Sequence, residues 1–192
     1  MSGSLSTCPS GLVSVSGLCN PDNTTEVIRK YPYWKQMYLS EFLEIPAQKP
    51  DIEQINSVNT SVDILRKEVI VTPRSYRDTA QGSVAAPNLE GKRLSGRKLI
   101  IEGQLCQMIE YTAALASQPV HSAEFFVPFS SYIVVPETIA ISDGLQTTEV
   151  DSLNVQFDVN ACLEDVTVCA LDARRILKQV TLLLSAVPTS AN

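Results

Sequence analysis

The 192-residue chain predicts an all-β domain, a β-sandwich or barrel-like arrangement of antiparallel strands, preceded by a flexible N-terminal arm. Three observations predict it. Several separate stretches alternate apolar and polar residues with a period of two, the spacing of a strand with one buried face. Turn-forming residues separate those stretches at intervals of roughly ten residues, as in sandwiches and barrels. No stretch carries a comparably strong helical repeat, and the length fits one domain plus an appendage.

Residues 1–30 form the arm. Residues 1–25 are rich in Ser, Thr and Gly, with Pro9, Pro21 and few charges, and bury too little apolar area to offset the entropy of ordering. Leu12, Val13, Val15 and Leu18 give weak strand character between Cys8 and Cys19. Two pairings are open for these cysteines: a disulfide within the arm, or disulfides to a neighbouring subunit.

The domain takes residues 31–188. Residues 34–45 fit a helix through Trp34, Met37, Tyr38 and Phe42, or a strand through Met37, Leu39, Leu43 and Ile45; the extended reading is adopted, closed by Pro46. Tyr31, Tyr33, Trp34 and Tyr38 form the densest aromatic cluster, suited to core packing or to a subunit contact. The acidic start of residues 50–55 predicts a short helical turn. A long strand follows over 57–71, then a loop or irregular hairpin over 72–97 with three glycines and two prolines.

Residues 98–111 place Leu99, Ile101, Leu105, Ile109 and Tyr111 on one parity and Glu102, Gln104, Cys106 and Glu110 on the other, a half-buried strand with Cys106 on its polar face. Residues 118–136 are β-branched and aromatic but carry three prolines, which suits extended segments at edges or bends. A turn at Ser142-Asp-Gly144 leads to a strand over 150–161 with Leu153, Val155, Phe157, Val159 and Ala161 inward. Strands continue over 162–171 and 173–187, and residues 189–192 form a polar tail.

Five phrases carry a resemblance. In order, Lys49-Pro-Asp-Ile-Glu-Gln-Ile55, Ile101-Glu-Gly-Gln-Leu105, Gln118-Pro-Val-His-Ser122, Val127-Pro-Phe-Ser130 and Leu163-Glu-Asp-Val166 resemble the SPOCS domain of endospore-forming bacteria, over residues 34–187. The resemblance implies a β-rich binding or assembly domain of the spore envelope, and it brings no catalytic residues to carry over. Relatives include coat and exosporium proteins, and an adaptor that docks on a spore-coat morphogenetic ATPase and also has a peptidoglycan-binding module. The expectation is a self-assembling structural protein of the spore surface, made in the mother-cell cytosol. The alternative is a non-enzymatic adaptor for a morphogenetic protein.

Charge and composition narrow the classes. A net charge of −6 and a pI near 4.8 leave no basic face for nucleic acid or anionic lipid, and apolar runs are far shorter than the ~20 residues a membrane span needs. The first residues resemble no secretory signal. Hydrophobic residues make up 44% and charged ones only 19%, so part of the apolar surface is expected to meet a partner: copies of this chain, or other spore-envelope proteins.

With His121 as the one histidine and no closely spaced cysteines, neither a zinc site nor a histidine-activated nucleophile is expected, so no enzyme activity and no cofactor are assigned. The disulfide and assembly candidates are Cys8, Cys19, Cys106, Cys162 and Cys169. Cys162 and Cys169 on one strand would lie about 23 Å apart, beyond the ~7 Å a disulfide spans.

Overall fold

The computed structural model describes residues 13–86, 94–115, 117, 119–142 and 146–191. In chain order the elements are β1 (Ser14–Ser16), α1 (Pro21–Lys30), β2 (Trp34–Glu44), β3 (Ile52–Arg74), β4 (Tyr76–Thr79), β5 (Gly82–Ala85), β6 (Ser95–Ala113), β7 (Val120–Val134), β8 (Thr138–Ser142), β9 (Thr147–Asp151), β10 (Val155–Ala170) and β11 (Arg175–Ala191). One sheet has the order β1-β3-β6-β7 and the other β10-β11-β2; β4-β5 and β8-β9 are hairpins. All pairings are antiparallel except that of β1 with β3.

The two sheets face each other as a sandwich, with β10 against β3 and β2 against β7. Alternation builds the core. From the first sheet Val58, Leu99, Ile101, Leu105, Ile109, Tyr111, Phe129 and Ile133 point inward; from the second come Leu43, Phe157, Leu163, Val166, Ile176, Val180, Leu182 and Leu184. Of the two all-β forms expected from the period of two, sandwich or barrel-like, the chain forms the sandwich.

Several family phrases explain themselves here. A Cβ at Gly103 would sit 2.6 Å from the ring of its cross-strand partner Phe129 and 2.7 Å from the Asp63 carbonyl, so only glycine lets that ring lie across β6. Pro128 lies on β7, the edge strand of its sheet, where a missing N–H breaks no ladder. At one end of the sandwich the Arg174 guanidinium donates to Ile45 O at 3.0 Å, Pro46 O at 2.8 Å, Lys49 O at 3.3 Å and Asp51 Oδ1 at 2.5 Å, while Tyr111 Oη donates to Pro50 O at 3.1 Å. This network pins the β2–β3 connection to the β10–β11 turn.

That network also corrects one expectation. Residues 50–55 enter β3 instead of forming a helical turn, because Ile52 N–H donates to Ala173 O at 2.7 Å and Asp51 O accepts from Ala114 N–H at 3.0 Å. Leu153 is exposed, since a 3-10 turn over Ser152–Asn154 interrupts the parity before β10 begins. The irregular stretch after β3 contains the β4-β5 hairpin, and the polar end of the chain is the last part of β11, with Ala191 opposite Val155.

The arm is more structured over 13–30 than its composition predicts. In α1 the Asn20 side chain accepts from Asp22 N–H at 3.0 Å, Pro21 stands in the first turn beside Asp22, and Arg29 and Lys30 stand in the last, the arrangement a helix dipole favours. Only ten residues long and with few apolar positions, it leaves little periodic signal.

Candidate assembly surface

The sandwich has two lateral sides, and the chain treats them differently. On one side lie the edges of β3 and β10. β1 adds to β3 in parallel, with Val13 and Val15 packed on the core. Gly17 follows at φ +96°, so close to β3 that a Cβ would stand 1.8 Å from Thr60 O. Two residues on, Cys19 N–H donates to Leu163 O at 3.0 Å, at the bulge in the Leu163-Glu-Asp-Val166 phrase of β10. Residues 13–19 therefore run from one sheet to the other and seal that side.

A disulfide holds the seal. Cys19 pairs with Cys162 of β10, Cα to Cα 5.3 Å, across a sequence separation of 143 residues. The two pairings weighed for Cys19 from sequence, with Cys8 or with another subunit, are both replaced by this bond within the domain. The reason is tertiary: β1 pairing and the Gly17 turn deliver Cys19 to an outward position of β10. Cys169 is also disulfide-bonded, and it does not pair with Cys162; Cys8 lies outside the described residues.

The opposite side carries the edges of β2 and β7, and no strand among the described residues covers either. Along β2 the even positions face out, placing Trp34 (48% exposed), Tyr38 (60%) and Phe42 (74%) in one aromatic stripe. On β7, in the other sheet, Phe126 (62%) and Val120 are exposed as well. The two edges meet where the Lys35 ammonium lies 4.0 Å over the Tyr132 ring, which Lys98 also approaches at 4.3 Å.

The four aromatic candidates thus divide. Tyr33 packs edge-on against Phe157 at 5.9 Å, and burial, helped by Glu149, raises its phenol pKa; Tyr31 lies under Lys30. Trp34 and Tyr38 are the surface pair. Phe42 joins them and was legible in the sequence as the next outward position four residues on. Phe126 was hidden among the alternating residues of its own strand.

Cys106 is the one free cysteine among the described residues, on the outer face of β6 as its parity predicted. It lines a shallow groove of about 320 Å³ with Asn59, Ser61, Met108, Glu124 and Phe126. Its thiol donates to Asp63 Oδ2 at 3.1 Å, and that hydrogen bond, with some desolvation and the carboxylate charge, raises its pKa. His121 stacks on its cross-strand partner Tyr111 at 5.9 Å, and its Nε2 has no hydrogen-bond partner. No three His, Cys, Asp or Glu side chains converge among the described residues.

The family model described as SipL, SPOCS domain matches residues 51–170. The chain belongs to the SPOCS family. It is accordingly a sporulation-related protein. The matched SPOCS segment runs from the entry to β3 through β10, while the arm, the β2 stripe and β11 lie outside it. No curated protein and no solved structure matches the chain. Among the described residues, no helix is long and apolar enough to cross a membrane.

Proposed function

We propose that this SPOCS protein is a structural, non-catalytic subunit of the spore surface, in the coat, the exosporium or a spore-associated fibre, that assembles with copies of itself. The observation that carries the reading is the aromatic stripe of Trp34, Tyr38 and Phe42 on β2, an edge strand that no strand among the described residues covers. Soluble monomers usually shield such edges with charge, proline or a covering element, because unpaired N–H and C=O groups template strand addition. Here the β2 edge carries aromatics, the residue type that anchors interfaces. Strand addition supplies direction and the stripe supplies burial. A contact of this kind between unlike faces propagates as a fibre or sheet, or closes as a ring, according to its rotation.

The test is negative-stain electron microscopy of the full chain beside a Tyr38→Lys/Phe42→Lys variant, both with unchanged β circular dichroism. Ordered assemblies of the native chain that disperse in the variant support the reading. Dispersed monomers of the native chain overturn it and favour an adaptor for a morphogenetic protein. Assemblies that persist in the variant remove β2 from the interface.

A further inference from the structure

One layer of the sandwich interior is polar. Glu41 and Lys178 are cross-strand partners of β2 and β11, both on the inner face, and Gln107 reaches Glu41 from β6 of the opposite sheet, its Nε2 donating to Glu41 Oε2 at 2.9 Å. Lys178 is fully buried, and Glu41 and Gln107 are buried as well. The inward positions around them are Leu39, Leu43, Leu105, Ile109, Ile176 and Val180. Glu41 Oε1, Gln107 Oε1 and Lys178 Nζ have no hydrogen-bond partner. An apolar core is expected to exclude such a set, since each unsatisfied buried group forfeits its hydration and a buried ion pair seldom recovers its desolvation.

The three groups are those that amide exchange requires. Burial pushes the Lys178 pKa down to about 8 against the opposing charge of Glu41, and the lowered value favours the unprotonated, nucleophilic amine relative to an exposed lysine. An extended lysine carries its amine about 6 Å from Cα and a glutamine its carboxamide carbon about 4 Å. Together they span the ~10 Å between stacked sheets.

We propose that Lys178 Nζ and Gln107 Cδ become joined by an isopeptide bond that the folded chain forms on itself, with Glu41 as proton carrier. The amine attacks the carboxamide carbon. Glu41 takes a proton from the attacking nitrogen and passes it to the departing amide nitrogen, to which it is already hydrogen-bonded. A C–N bond forms, a C–N bond breaks, and one ammonia leaves; no oxidant or co-reactant is needed. The product staples one sheet to the other through the core.

Intact-mass measurement of the purified full chain, denatured and with disulfides reduced, tests this. The expected mass is one ammonia below that of the sequence, and proteolysis yields a branched peptide containing Lys178 and Gln107. Glu41→Gln, which keeps the side-chain volume, is expected to show the full mass with native β circular dichroism. A native chain at full mass, with Lys178 in a linear peptide, overturns the proposal. So does an ammonia loss that survives in Lys178→Met, because the loss then lies elsewhere.

Discussion

At the β10–β11 turn the Asp172 carboxylate accepts from Arg174 N–H at 2.9 Å, from Arg175 Nε at 2.6 Å and from Arg175 N–H at 2.8 Å. These bonds to the charged form, the Arg174 amide first, hold its pKa down to about 2. Because the folded value lies below the usual 3.8, the carboxylate contributes its stabilisation fully above about pH 4 and loses it as the pH falls through about 2. Amide chemical shifts of Arg174 and Arg175, followed from about pH 5 to about pH 1, are expected to move with a midpoint near 2 and to lose that transition in Asp172→Asn. The same turn carries the guanidinium that gathers Ile45, Pro46, Lys49 and Asp51, so its loosening reaches the β2–β3 connection.

At the scale of elements, the stretch from Val13 to Lys30 works as a clasp. β1 alone is three residues of parallel pairing, too short to persist without support. The Cys19–Cys162 bond supplies it by closing a loop of 143 residues, which restricts the unfolded chain far more than a local bridge would. Cys162→Ser is expected to lower unfolding free energy by about 2–5 kcal/mol in denaturant titrations. Limited proteolysis should then cut first within residues 13–30, with the paired strands β3, β6, β10 and β11 cut later. Simultaneous cleavage throughout would show that the clasp is integral to the core.

The whole molecule is asymmetric: one lateral side is sealed by its own chain and the other presents strand edges and aromatics. That asymmetry suits an assembling subunit, since the sealed side does not compete for strand addition. The covalent chemistry is divided as well. With Cys19, Cys162 and Cys169 engaged in disulfides, Cys106 is the described thiol left to link chains, and Asp63 keeps it protonated and slow to oxidise. After prolonged oxidation the native protein is expected to run partly as a covalent dimer on a non-reducing gel, since one free thiol per chain joins only two chains, and Cys106→Ala as a monomer. A dimer that persists in Cys106→Ala would assign the linkage to another cysteine.

Alternation in the sequence was enough to specify an all-β domain of sandwich or barrel type, because a strand with one buried face must repeat every second residue; Leu99, Ile101, Leu105 and Ile109 were readable as core, and Cys106 as lying on the polar face, on that ground alone. The five phrases were enough to place the chain in its family. The helix α1 escaped because its stability comes from caps and docking, with little apolar repeat. The polar layer showed only as Glu41 between Leu39 and Leu43, and Lys178 between Ile176 and Val180; nothing local says that Glu41 pairs with Lys178 and meets Gln107 of the other sheet. Tertiary structure alone decided that meeting, the Cys19–Cys162 pairing and the uncovered side, because each depends on which strands lie opposite across the sandwich, at sequence separations that local periodicity does not encode.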